Sequence, residues 1–430
     1  MTKWDDNPLS IGHFAESAVR AYKIAVTPPM GPVAVIVDEH MHVSQVPANL
    51  RVPTLSTPTP PQGDSGAVAE AAKLLVAAER PVIVTARAAR TPMGVKLLVE
   101  LAETLQAGVV DRRWRMNFPN RHPLSGGVLN EADVILALEA GYITADARRA
   151  RERGAKFINI STDELFIKSN YGDSMRYAEV DVSITGDAEA TLPALIEATK
   201  RLMTGDRRRA FADRGAKLAE ANRQVLARAR SDATYGWESS PISTARLSME
   251  LWQQIRNEDW SLVTGAVNWP LRLWNFDKHY QYIGRAGGGG VGYFLPASVG
   301  AALANRKYGR LSVAIQPDGD FMVANGVLWT AAHHRIPLLI LMHNNRAYHQ
   351  DFMDFQRISL ARDRGSLELM GVGTKLDRPA IDFAKLAQSM GVAAEGPISD
   401  PQELAAAIRR GIQVVKGGDP YVIDVVTQPR

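Results

Sequence analysis

The chain has 430 residues, enough for two or three domains, and its 46% hydrophobic content is ordinary for a globular protein with sizeable cores. Its 50 Lys and Arg against 46 Asp and Glu leave a formal charge of +4, too small at this length to argue for a nucleic-acid partner. Zero Cys excludes disulfides, thiolate metal sites and a cysteine nucleophile and fits a reducing cytoplasm, while the absence of a leader pattern or of any apolar run near the ~20 residues of a bilayer span argues against a membrane partner.

In chain order, residues 9–26 place Ile11, Phe14, Ala18, Ala21, Tyr22 and Ala25 at helical spacing, with Ser10 as N-cap. The Pro/Gly cluster at 28–32 breaks that helix. Residues 33–37 then form a short apolar run that predicts a strand buried on both faces, with too few local neighbours to pair its backbone. Residues 47–66 are rich in Pro, Thr, Ser and Gly and predict a linker. From residue 67 the pattern alternates: helix 67–78, strand 81–85, helix 93–106, a strand starting at 109, strands 132–138, 156–160 and 181–184, and a helix to about 203. Alternating strands and helices imply a parallel, doubly wound α/β sheet. No Gly-x-Gly-x-x-Gly fingerprint follows its first strand, where Thr85-Ala86-Arg87-Ala88-Ala89-Arg90 stands instead. Arg87, Arg112 and Arg113 predict solvated surface, as does the basic helical stretch 204–240 around Arg207-Arg208-Arg209.

A second doubly wound block opens at 241, with helix 243–255 and strand 261–264, after which Asn268, Trp269 and Trp274 lie in a loop, where the two Trp are either substrate walls or, equally, buried core. The run 287–290 is all glycine and leads through Val291 and Gly292 to helix 295–304 and strand 311–315. Pro317-Asp318-Gly319-Asp320, helix 324–334 and the apolar run 336–342 follow, ending in His343-Asn344-Asn345. In a right-handed βαβ unit both strand ends open on one sheet edge, so Asp318 and Asn345 should converge. A carboxylate and an amide oxygen together suit a hard cation such as Mg²⁺, which prefers oxygen ligands and shares itself with phosphates. Gly319 permits close backbone approach to such phosphates, and the helix after it supplies N–H donors. A polar stretch 349–374, helices 382–390 and 402–415 and strand 421–426 complete the block.

The Asp-Gly turn and the double Asn, 345 − 318 = 27 residues apart, resemble the motif of thiamine-diphosphate-dependent enzymes, with Pro317 in place of the family's first glycine. The stretches 117–119, 122–124 and 132–136 resemble the middle domain of the acetolactate-synthase-like and benzoylformate-decarboxylase-like members, and 396–430 resembles their endings. That resemblance implies thiamine diphosphate and Mg²⁺ as cofactors. It places the side chains of Asp318 and Asn345 and the backbone carbonyl of Ala347 on the metal, and Gly289, Gly290, Val291, Gly319, Asp320 and Tyr348 against the cofactor. Val291 would prop the two cofactor rings into a V shape. His343, Tyr348 and His349 flank the Asn ligand and could face the substrate as proton donors or acceptors, with His343, at a strand end, alternatively satisfying the backbone.

Some relatives carry FAD in the middle domain, but their Arg-Phe-Asp-Asp-Arg stretch has no counterpart at 144–151, so no flavin is expected. Residues 9–38 resemble the closing helix and strand of the family's pyrimidine-binding domain. The Glu of that domain has no counterpart, since Glu16 and Glu39 fall in the wrong elements. The resemblance thus implies the large subunit of a split, cytoplasmic enzyme. A separate small subunit would carry the pyrimidine-binding domain and the Glu, in a hetero-oligomer with at least two copies of each chain. The expected organisation is a pyrimidine-domain remnant (1–46), a linker (47–66), a middle domain (67–203), a helical connector (204–240) and a diphosphate-binding domain (241–430). The expected activity is making or breaking carbon–carbon bonds in 2-oxo acids or acyloin-type ketones. A non-catalytic, regulatory cofactor-binding subunit is the alternative.

Overall fold

The computed structural model describes residues 2–163, 176–265, 269–284, 290–365 and 369–429. The chain divides into two compact units, Met1–Arg112 with His122–Glu220, and Arg113–Arg121 with Ala221–Arg430. Both are α/β with parallel sheets. Among the described residues, no helix is long and apolar enough to cross a membrane.

The first unit opens with β1 (Trp4–Asp6), α1 (Ile11–Val26) and β2 (Val33–Val35). Ser10 caps α1 as its spacing suggested, its side chain accepting the His13 N–H. The strand after α1 departs from expectation. It is three residues long and half-buried, and it pairs in parallel with β1, which the polar start of the chain concealed. A one-turn-plus helix α2 (Glu39–Val43), capped by Asp38, was also hidden.

Residues 44–64 hold no helix or strand. Then come α3 (Ser65–Ala77), β3 (Pro81–Thr85), α4 (Pro92–Leu105), β4 (Gly108–Asp111), β5 (Val134–Leu138), α5 (Thr144–Glu152), β6 (Lys156–Ser161), β7 (Val182–Thr185), α6 (Ala188–Leu202) and α7 (Gly205–Asp232). The five strands form one parallel sheet in the order β4-β3-β5-β6-β7. β3 and β5 are buried at every position, as near-continuous Val/Ile/Leu strands in a doubly wound sheet must be. Arg214 of α7 ties that helix to the unit. Its guanidinium donates to the carbonyls of Ala78, Glu79, Leu105 and Gln106, at the C-terminal ends of α3 and α4, and burial pulls it down to about 10.

The division between the units falls inside α7. The second unit continues with α8 (Thr244–Ile255), β8 (Trp260–Thr264), α9 (Phe294–Arg306), β9 (Leu311–Pro317), α10 (Asp318–Ala324), α11 (Val327–His333), β10 (Leu339–Asn344), α12 (His349–Ala361), α13 (Phe383–Ser389), β11 (Ala393–Ile398), α14 (Leu404–Lys416) and β12 (Tyr421–Val426). Its sheet is parallel, ordered β11-β12-β10-β9-β8. Two apolar layers cover it. One joins α8 and α14 to Leu339, Leu341 and Ile423; the other joins α9, α11 and α13 to Ile340, Met342 and Val422. Each such side chain, fully buried, contributes about 1.5–3 kcal/mol.

The helix anticipated over 324–334 is present as α11, three residues shorter at its start, and a further helix, α10, precedes it. α10 starts directly at Asp318, and bonds of Leu328 to Asn325 and Trp329 to Gly326 tighten the junction before α11 continues. β11 escaped notice because Gly396 and Pro397 interrupt it, which an edge strand tolerates.

At the C-terminal edge of the first unit's sheet, Glu139 follows β5 with only 4% of its surface exposed. It accepts from the Thr162 N–H (3.1 Å), the Thr162 hydroxyl (3.3 Å) and the Ser161 hydroxyl (3.3 Å). Burial first, and then the Asp163 charge, push its carboxyl up to about 6, against the pull of the Thr162 N–H. A carboxyl whose folded pKa is raised binds its proton more tightly in the folded chain. That stability is present below about 4.5 and is lost as pH rises through about 6. Glu139→Gln keeps an acceptor for Thr162 and removes the charge. It should raise unfolding stability at pH 7.5 by up to about 2 kcal/mol and leave it unchanged near pH 4, read by urea denaturation at both pH values.

Candidate functional site

Strand β9 delivers Asp318 to the C-terminal edge of the second unit's sheet, 2% exposed. One carboxylate oxygen accepts the Gly319 N–H (2.8 Å) and the other the Ala347 N–H (3.1 Å). The two strand ends therefore meet, as the βαβ geometry required. Burial pushes the Asp318 carboxyl up to about 6, while the backbone N–H groups of Gly319, Ala347 and Arg346 pull the other way.

On the other side of this contact, β10 runs two residues past its apolar core and ends at Asn344. Asn344 is held at three points: its amide donates to Asp424 (2.9 Å), its side-chain oxygen accepts the Arg346 N–H (3.3 Å), and its carbonyl accepts the Thr427 N–H (2.9 Å). The chain then reverses through Arg346 at φ +58°, a left-handed conformation unusual for Arg. Residues 374–376 hold the turn, with Leu376 N–H on the Arg346 carbonyl and Tyr348 N–H on that of Thr374, both 2.7 Å. Asn345, at the centre of the turn, has its side-chain oxygen buried without a hydrogen-bond partner among the described residues. Buried polar atoms are nearly always satisfied, and an orphan acceptor in the turn that grips a buried carboxylate is what an oxygen-liganded cation would complete. Among the described residues no group of three or more His, Cys, Asp or Glu gathers that could hold a metal ion, so this donor set is one carboxylate with amide and backbone oxygens.

The glycine segment is attached to the same edge. Asp320 accepts the Gly292 N–H (2.7 Å) with one oxygen and the Gln316 amide (2.7 Å) with the other. Gly292 sits at φ +93°, and a Cβ there would come within 2.7 Å of Val323, so no other residue fits. Beside it, Val291 is 62% exposed and Gly290 is exposed. Gly289 and Asn268 lie outside the described residues.

Two expectations need correction, and one open alternative is decided. Gly319 does give close approach, but the space it leaves is taken by the Tyr348 ring, whose carbons a Cβ would meet at 2.5 Å. His343 does not face the turn. It lies on the Leu341 side of β10, 1% exposed, with Nε2 at 2.7 Å from the Thr244 hydroxyl and Nδ1 at 3.3 Å from that of Thr427. Alternation along the strand sends it into the layer under α8, where it braces β10 against Thr244 and Thr427. Trp269 and Trp274 are core: the Trp274 indole donates to Ser248, and the pair packs edge-on with Trp252, Trp260 and Phe276 close by. Tyr348 and His349 do stand beside the turn, at the start of α12, with His349 stacked on Phe352.

The sequence alone did not single out Gln316 or Asp424. Asp424 is wholly buried on β12; burial pushes its carboxyl up to about 6, against the Asn344 amide and the Phe383 N–H that it accepts. A charged residue inside the apolar run 421–426 was the signal available.

Two domain models of one family match the chain: the thiamine pyrophosphate enzyme central domain over residues 68–195, and the thiamine pyrophosphate enzyme C-terminal TPP binding domain over residues 263–425. Benzoylformate decarboxylase of Pseudomonas aeruginosa is 26% identical over the whole of this chain and 76% of its own length. A Methanocaldococcus jannaschii protein named "Probable acetolactate synthase large subunit" is 24% identical over 95% of this chain and 68% of its own. Among solved structures, benzoylformate decarboxylase from Polynucleobacter necessarius superposes on all of the chain and 76% of its own length with a TM-score of 0.74 at 18% identity, which supports the fold. Matched by two domain models of one family over most of its length, the chain belongs to the thiamine pyrophosphate-dependent enzymes, with acetolactate synthase-like and benzoylformate decarboxylase-like homologues.

Proposed function

We propose that the chain holds thiamine diphosphate through a Mg²⁺ ion bound by Asp318, Asn345 and the Ala347 carbonyl, and makes or breaks the bond between two carbons, one of them a carbonyl carbon of a 2-oxo acid or acyloin-type ketone. One observation carries the metal assignment: the buried, unpartnered Asn345 oxygen lies in the turn whose backbone grips the buried Asp318 carboxylate. When bound, thiamine diphosphate supplies the electron sink for carbon–carbon chemistry beside a carbonyl. The chain's own residues bind and orient. Asp318 offsets part of the cation's charge, the exposed Val291 gives an apolar prop beside Gly290 and Gly292, and Tyr348 and His349 are the groups placed to pass a proton to or from substrate. Asp318→Ala should weaken Mg²⁺-dependent thiamine diphosphate binding beyond the ~10–100-fold typical of losing an outer-shell partner. Asn345→Ala should weaken it less, since an amide carries no charge. Isothermal titration calorimetry on the folded variants reads both, and unchanged affinity in Asp318→Ala would refute the metal assignment.

The proposal includes a second, different polypeptide that brings the Glu the chemistry requires, in a complex with at least two copies of each chain. A two-stranded sheet is marginal by itself, and β1 and β2 form one. Beside it, a groove of ≈ 640 Å³ is lined by apolar side chains that include Phe14, Tyr22, Val46, Val52 and Leu55. Partner strands laid along β1 and β2, with a helix in that groove, would bury both. Two relatives carry the name of large subunits, which is compatible with a companion chain of some kind. Co-expression with a candidate small subunit should give a stable complex that releases CO₂ from a 2-oxo acid, and deleting residues 1–38 should abolish it. Full turnover by this chain alone, unchanged by any partner, would exclude the second polypeptide.

No flavin is proposed for the first unit. At its sheet edge Arg90 pairs with the wholly buried Asp187, and Arg112 with Asp146 and the carbonyl of Gly141 (2.6 Å), so both cations are already engaged within the chain. The purified protein should be colourless; a stoichiometric flavin band in its visible spectrum would overturn this.

A further inference from the structure

The contact between Asp320 and Gly292 joins two segments that the proposed function uses separately, the Asp318 turn and the Val291 prop. We infer that Asp320 is a positioning residue, a latch that fixes the Gly290–Gly292 turn against the start of α10 and so sets where Val291 stands. The inference rests on the cofactor reading above for its functional consequence, but the latch itself rests on geometry alone.

Asp320 is 7% exposed, and both of its oxygens are engaged, one by the Gly292 N–H and one by the Gln316 amide. Gln316 belongs to β9, wholly buried and fixed by the sheet, so the carboxylate is braced by a rigid element on one side and holds a strained turn on the other. Gly292 at φ +93° has no repeating-structure partner for its N–H; Asp320 provides one. Charge-assisted bonds to a backbone N–H are roughly twice as strong as neutral ones. Gln316 has a further property: its side-chain oxygen is buried without a partner among the described residues. An Asn at position 320 could therefore still accept from Gly292 while its amide donates to Gln316, which needs only to rotate its own amide. Asp320→Asn should conserve the latch, and Asp320→Ala should break it. In the Asp320→Asn background, Gln316→Met removes the brace and should break it again.

Two measurements on the full chain test this. Hydrogen exchange of the Gly292 amide in the cofactor-free protein should accelerate about tenfold or more in Asp320→Ala and in the double variant, and stay within about twofold of wild type in Asp320→Asn. Thiamine diphosphate affinity in Mg²⁺ should follow the same order, weakened about tenfold in the first two and retained in Asp320→Asn. If Asp320→Ala loses its folded state, the comparison of Asp320→Asn with its Gln316→Met derivative decides. Unchanged Gly292 exchange in that comparison overturns the latch. Tighter cofactor binding in both Asp320→Ala and Asp320→Asn would make Asp320 a repelling charge beside the diphosphate and overturn it too. If the wild-type chain binds no thiamine diphosphate, the cofactor reading fails, and the exchange data still decide for or against the latch.

Discussion

A buried carboxylate gripped by the backbone of a neighbouring strand's turn is the constraint on which the second unit is built. For the Ala347 N–H to reach Asp318, β9 and β10 must end level, Asn344 must close its strand, and Arg346 must adopt a left-handed conformation. Each condition is enforced elsewhere. The His343–Pro317 register fixes the strand ends, Asp424 and Thr427 anchor Asn344 from β12, and residues 374–376 hold the turn from outside. Displacement of any of these would withdraw N–H groups from a charge that burial already disfavours.

The sheet also carries a polar skeleton inside its apolar layers. His343 between Thr244 and Thr427, Asn344 on Asp424, and Asp424 on the Phe383 N–H are satisfied contacts, and they make the strand order and the α13 docking specific. The two unsatisfied acceptors nearby, on Asn345 and Gln316, differ in kind. The first lies in the turn around Asp318. The second faces the Asp320 brace, where it gives the local network a second way of being satisfied.

Much of this architecture was legible because its strands are long apolar runs and its helices carry caps. Strands 81–85 and 421–426 were placed to the residue, and Ser10 caps the helix it precedes. The convergence of Asp318 with the turn after Asn344 followed from topology alone. Side-chain direction was less legible. His343 is adjacent to the motif in sequence, yet period-two alternation turns it to the other face, and Tyr348 fills the room that Gly319 was expected to leave open. β1 was illegible because Trp-Asp-Asp lacks a strand's pattern, and only the parallel neighbour after α1 makes it one. Asp424 acts through a partner 80 residues away, so no local window reveals it, and Gln316 reads as one more strand position until its bond to Asp320 is seen.

The aromatic cluster under α8 gives the molecule an optical asymmetry. Of the eight tryptophans, only Trp4 belongs to the first unit; Trp114, Trp237, Trp252, Trp260, Trp269, Trp274 and Trp329 belong to the second. Four of them, Trp252, Trp260, Trp269 and Trp274, pack as neighbours with ring centroids 5.4–6.0 Å apart. Indole emission therefore comes almost wholly from one unit, whereas far-ultraviolet dichroism sums the helices of both. A denaturation followed by the two signals together resolves whether the units melt as one cooperative body or in sequence, with no label introduced.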